Sequence, residues 1–292
     1  MANSALERNP YFNGEARRQH GQQFGQAPTA PQFGRAQSAP THGQQPPAPL
    51  TAEQLNAQFQ APPASPDQMD RMSYEDTIAK TAGLFGIVLV AAAVAWFVPL
   101  LMIIGAIGAL VLSLVLAFQR EPKTGLIFAF AAAEGLLVGG LSSILEQLYP
   151  GIAMQAVLAT FSVVAVTLVL FRFGKVRTSP RMTKIVLVAM LGYALFSLIN
   201  FGMIMFGFQS AAGPWGMRSM EVFGIPLGVI LGIFAVLMGA YMLVMDFELI
   251  KNGVEGGAPR KYGWIGAYSL VSTVVFIYVE IIRVLAILRG NN

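Results

Sequence analysis

Residues 241–289 read YMLVMDFELI KNGVEGGAPR KYGWIGAYSL VSTVVFIYVE IIRVLAILR. One apolar run ends in Met245-Asp246-Phe247, a short loop carries glycine and charge, and a second apolar run contains Glu280 and Arg283. A charged side chain in the middle of a lipid-spanning helix costs roughly 2.5 to 3.5 kcal/mol even on the lenient insertion scale. Three ionisable groups inside or at the edge of such runs call for partners, water or a task.

Working outward, the 292-residue chain is 55% hydrophobic and only 12% charged, with 20 Phe and 14 Met. Charged residues make up about a quarter of an ordinary soluble domain, so this is the composition of a membrane protein. The absence of Cys excludes disulfides, thiolate metal sites and cysteine nucleophiles. The 2 histidines, His20 and His42, lie outside every apolar run. A net charge of +4 would suit nucleic acid, but in a membrane protein Lys and Arg mark the cytoplasmic loops, and no nucleic-acid partner is expected.

Between Lys80 and Arg120 lie 39 uncharged positions. As one helix they would extend roughly 58 Å, against a hydrocarbon core of about 30 Å. Pro99 supplies the break, giving spans 81–98 and 100–118. The third run, 124–145, is interrupted by Glu134 and closes at Pro150-Gly151; the fourth is 152–171, the fifth 185–208, the sixth 222–246 and the seventh 264–288. The fold class is therefore all-α, a polytopic bundle of seven transmembrane helices. If the N-terminus is inside, the inner loops hold Arg120, Lys123, Arg172, Lys175, Arg177, Arg181, Lys184, Lys251, Arg260 and Lys261, and the outer segments hold Arg218 and Arg289. That bias predicts a cytoplasmic N-terminus and an external C-terminus. Gly224, Gly228 and Gly232, and likewise Gly135 and Gly139, recur every four residues, the pattern of closely approaching helices.

Residues 1–72 read differently: Gln, Pro, Ala and Gly dominate, and no apolar run reaches helical length. Such a segment buries too little apolar surface to offset the entropy of ordering it, and a disordered cytoplasmic tail is expected. It also lacks the 7 to 15 residue apolar core of a signal peptide. Thr51 with Gln54 and Ser73 with Asp76 resemble helix starts. The second predicts a helix that lies on the membrane surface or continues into the first span.

Glu134 lies ten residues into the third span, about 15 Å deep. Glu280 follows 18 uncharged residues after Lys261 and precedes further apolar residues, with Arg283 one turn on along the same face. Asp246 reads either as a marker of the lipid boundary or as part of a site, and Glu280 with Arg283 either as a structural ion pair or as functional charge. Arg283 is the one evident interior base for Glu134 and Glu280. Two acids and one base leave excess negative charge unless one acid is protonated, which suits a proton or cation site. Glu134, Asp246 and Glu280 are thus the candidate pathway acids and Arg283 the candidate latch. No catalytic residue, cofactor or metal set is expected. No His lies in a span, no His-Glu-x-x-His or phosphate-binding Gly-rich loop occurs, and Asp246 is the only Asp after Asp76. Those absences remove serine, zinc and two-aspartate intramembrane proteases and ATP-driven transport.

Glu134-Gly135-Leu136-Leu137-Val138-Gly139-Gly140, the Asp246 segment, Gly256-Gly257-Ala258-Pro259 and Tyr278-Val279-Glu280-Ile281-Ile282-Arg283 resemble the Bax inhibitor-1/YccA family, in its bacterial branch with a long N-terminal extension. The resemblance covers about residues 73–289. It implies a seven-helix bundle with the last helix central, a bacterial inner-membrane location and a pH-sensitive leak for calcium, other cations or protons. It equally implies a non-conducting regulator of a membrane-bound protease or other membrane machinery. Asp246 matches the family's acid on the sixth helix and Arg283 its arginine on the last. Thr273 stands where many members carry a second aspartate, and Glu280 either replaces that acid or neutralises Arg283.

Overall fold

The computed structural model describes residues 70–119, 121–174, 176–207 and 215–290. The expectations for residues 1–69, including the helix start at Thr51, and for the end of the fifth span at 208 lie outside the described residues. Seven helices among the described residues are long and apolar enough to cross a membrane. They are α1 (Tyr74–Phe97), α2 (Leu101–Phe118), α3 (Thr124–Leu148), α4 (Ile152–Arg172), α5 (Pro180–Met205), α6 (Leu227–Glu255) and α7 (Gly263–Gly290). The chain is a multi-pass membrane protein.

Local chemistry sets the ends. Ser73 accepts from Asp76 N–H and caps α1, which starts seven residues before the expected span and runs on into it without a break. Ser179 caps α5 in the same way, and Pro180 takes its first position, where the missing N–H costs nothing. Pro99 stands in the turn that ends α1 and begins α2.

The sixth span is displaced at both ends. Glu221–Val222 and Ile225–Pro226 form a two-stranded antiparallel hairpin, β1 and β2. Phe223 (φ 56°) and Gly224 (φ 78°) make its turn, the pair of positive φ angles that a two-residue hairpin demands. Gly224 is therefore a turn residue and not part of the helical glycine series. At the other end α6 continues to Glu255, so Asp246 lies inside the helix instead of closing it.

Burial separates core helices from lipid-facing ones. In the most apolar stretches of α3, α6 and α7, 50 to 56% of residues are buried, against 17 to 22% for α1, α2, α4 and α5. α7 is central, packing against α1, α3, α4 and α6, while α2 lies on α3 and α5 on α6. Glycine makes the close contacts. A Cβ at Gly135 would stand 2.7 Å from Ala91 Cβ on α1, and one at Gly139 would stand 2.6 Å from the carbonyl carbon of Ala92. One at Gly239 would meet Ile277 Cγ1 at 2.7 Å, bringing α6 backbone onto α7. Without a hydrophobic drive between helices in lipid, such backbone approach supplies the van der Waals contact that holds them together.

Candidate functional site: two polar clusters on one helix face

The bundle has a proximal end, where the described chain begins at Asp70, and a distal end, where α7 finishes. The four candidate residues fall into two groups along its axis.

Nearer the proximal end, Asp246 on α6 accepts a hydrogen bond from Ser269 Oγ on α7. Glu134 on α3 accepts one from Ser272 Oγ at 3.5 Å. Thr273, 3% exposed, is the third hydroxyl of this face and within reach of Asp246. Ser269, Ser272 and Thr273 are spaced i, i+3, i+4 and therefore share one side of α7. Two carboxylates from different helices thus converge on one hydroxyl-lined strip. Both are interior, Glu134 at 7% and Asp246 at 6% exposure. One oxygen of each, Glu134 Oε2 and Asp246 Oδ2, is buried with no hydrogen-bond partner. An unsatisfied buried carboxylate oxygen is costly and asks for a proton, a cation or water. A boundary marker would instead be solvated, so the boundary reading of Asp246 does not hold. Among the described residues no group of three or more His, Asp or Glu is placed to hold a metal ion.

Toward the distal end, Glu280, 2% exposed, is enclosed by cations. Arg283 Nη1 donates to Glu280 Oε1 at 2.5 Å, and Tyr193 OH on α5 donates to Glu280 Oε2. Arg218 Nη1 stands 3.8 Å from the same Oε2 and donates to Tyr193 OH at 3.0 Å, while its Nη2 donates to Ser197 Oγ at 2.7 Å. Arg283 Nη1 also lies 3.3 Å from Tyr193 OH. Arg218 stacks over the Tyr193 and Phe196 rings at 5.2 and 5.6 Å, a cation–π arrangement.

Arg283 therefore pairs with Glu280, whereas Glu134 meets only a serine hydroxyl. The single-base expectation missed Arg218. In the sequence Arg218 reads as an external loop residue, yet the α5–α6 connection folds it inward to 3% exposure. The 3-10 turn Gly216–Ser219 carries it, and Asn200 on α5 fixes that turn by accepting from Met217 N–H at 2.8 Å and donating to the Trp215 carbonyl at 3.2 Å. Gly216 (φ 61°) permits the bend. The hydroxyls of Ser269, Ser272 and Tyr193 were also missed. None stands three, four or seven residues from a charged residue, so only the packed helices show what these hydroxyls meet.

At the proximal end the start of the described chain is fastened to the α6–α7 loop. Met72 N–H donates to the Ala258 carbonyl at 2.7 Å, Arg260 N–H donates to the Asp70 carbonyl at 2.9 Å, and Arg71 bridges Pro259. Asp76 accepts from both Nε and Nη2 of Arg260, at 2.9 and 2.8 Å, and also takes Lys80. Met72, 2% exposed, packs with Ala258, Tyr262 and Ile265.

Comparison with curated proteins and with solved structures gives no match. The model of the family described as Bax inhibitor 1 like matches residues 9–290, reaching beyond the seven helices into the N-terminal segment. With nearly its whole length matched and seven helices of membrane-spanning length, four of them packed on the last, the chain belongs to the Bax inhibitor 1 like family.

Proposed function

We propose that the chain is a weak, proton-gated leak for cations in the bacterial inner membrane, with its N-terminus in the cytoplasm. The observation that supports this reading most is the pair of orphaned oxygens, Glu134 Oε2 and Asp246 Oδ2, on the two carboxylates that meet the hydroxyl strip of α7. Two carboxylates and neighbouring hydroxyls offer hard oxygen ligands, which suit calcium or a proton. They are too few to hold calcium without water, since a calcium site takes about 6 to 8 oxygens. Weak binding is what conduction requires, because an ion that enters must also leave. Protonation converts each carboxylate into a neutral donor and removes the attraction for a cation. Glu280, held by Arg283 and Arg218, places a net positive cluster on the distal side, which opposes cation passage until that cluster rearranges. Arg283 is then the latch and Arg218 its second arm.

A second reading has its own support. The N-terminal segment joins the bundle through the backbone pairing of residues 70–72 with 258–260, directly on the hairpin that carries Asp246 and Ser269. A non-conducting regulator whose tail engages a membrane protease or other machinery would use that connection. Cation uptake into liposomes holding purified full-length protein, and protein lacking residues 1–69, discriminates the two. The leak reading expects uptake above empty liposomes in both forms. Uptake equal to empty liposomes at every pH from 5 to 8 would leave the regulator.

A further inference from the structure

The two polar clusters lie on one stripe of α7, and a single side chain divides them. At 100° per residue, Ser269, Ser272, Thr273, Phe276, Glu280 and Arg283 all fall within roughly a 100° arc of the helix surface. Five of these six are polar or charged, and the exception is Phe276. Tyr278, bonded to Ser142 at 2.6 Å, belongs to the opposite face. From Thr273 to Glu280 is roughly 10 Å of helix rise, and Phe276 is the stripe's only occupant across it.

The Phe276 ring is held on two sides. It meets the Tyr193 ring on α5 edge-on, with centroids 6.2 Å apart and planes at 87°. It packs in the cluster of Val186, Ala235 and Met238. A Cβ at Gly239 would come within 3.4 Å of Phe276 Cδ1, so α6 backbone lies directly against the ring.

We infer that Phe276 is the hydrophobic gate between the Glu134–Asp246 site and the Glu280–Arg283–Arg218 cluster. The inference rests on the pathway reading of the acids and adds its barrier. A narrow apolar constriction sheds water, and an ion cannot cross it without its hydration shell. Tyr193 couples gate to latch, since its hydroxyl bonds Glu280, Arg218 and Arg283 while its ring braces Phe276. Loosening the ion cluster frees Tyr193 and lets the Phe276 ring swing off the stripe.

Because the chain has no Cys, a single introduced thiol reports access unambiguously. In the full-length protein in inside-out membrane vesicles, Ag⁺ is added to the cytoplasmic face and thiols left unreacted are then counted by maleimide labelling after denaturation. With Phe276 in place, Ag⁺ protects Ser272→Cys, below the gate, and leaves Ser197→Cys, beside Arg218, open to maleimide. Adding Phe276→Ala makes Ser197→Cys protected several-fold faster, and Phe276→Leu, which keeps apolar bulk, retains most of the barrier. Melting curves of each variant verify the fold, with Phe276→Val substituted if Phe276→Ala unfolds. Protection of Ser272→Cys, with Ser197→Cys indifferent to residue 276 in a folded protein, overturns the gate alone. No protection of Ser272→Cys in any background overturns the pathway reading and the gate with it.

Discussion

At the residue scale, the distal cluster is a buried carboxylate with two guanidinium partners, not a simple pair. Removing one partner of a buried ion pair strands the other, typically at about 3 to 5 kcal/mol. Here Arg218 and Arg283 back each other up, so Arg218→Ala or Arg283→Ala alone should cost less than that range, and the double variant should reach it. Melting temperatures of the three variants in detergent measure it, and equal losses for single and double variants would mean that Glu280 is not shared. Glu280 was conspicuous in the sequence because an acid deep in an apolar run is rare. Arg218 was not, because a basic residue beside Gly, Met and Ser in a connection looks like any loop residue until the chain folds back.

At the element scale, the helices themselves were legible. Apolar length, Pro99, Ser73 and the Pro150-Gly151 break mark where helices start and stop by chemistry that acts within a few residues. The start of α6 was less so. Val222 to Pro226 is apolar enough to continue a helix, and only the paired positive φ at Phe223 and Gly224 makes it a hairpin. The end of α6 was hidden for the opposite reason. Phe247 to Glu255 is charged enough to suggest a loop, yet it remains helical, with Thr178 N–H donating to Glu248 at 3.0 Å. The glycine pattern on α3 gives a sharp prediction. Gly139→Val drives a side chain into Ala92 backbone on α1 and should destabilise by about 1 to 3 kcal/mol, the range for overpacking. Gly83→Ala meets nothing within 4 Å and should leave melting within about 0.5 kcal/mol of the parent, or raise it slightly. Equal behaviour of the two would show that the α1–α3 contact carries no weight.

At the scale of the whole molecule, the count of basic residues predicts an orientation that the packing by itself does not supply. A reporter active only in the cytoplasm should work when fused after Lys175 or Glu255, and a periplasmic one after Asn292. A cytoplasmic C-terminus would require one of the seven helices to stop short of crossing. The proposed orientation would put Glu134 and Asp246 toward the cytoplasm and the Arg218–Glu280–Arg283 cluster toward the outside, with Phe276 between. Sequence pattern identified the four charged residues, and pairing them needed the three-dimensional neighbours. Glu134 meets α7 at Ser272 because α3 lies beside α7, and no spacing within either segment encodes that adjacency.

Calcium or proton flux into liposomes across pH 5 to 8, compared for the parent protein and Glu134→Gln/Asp246→Asn, tests the central claim most directly. Both changes are nearly isosteric and remove the two carboxylates that meet the hydroxyl strip and each leave one buried oxygen unpartnered. The account predicts that the parent conducts above empty liposomes with a rate that changes with pH, and that the double variant, folded by its melting curve, loses both the flux and its pH dependence. Unchanged flux and unchanged pH dependence in the double variant would contradict it.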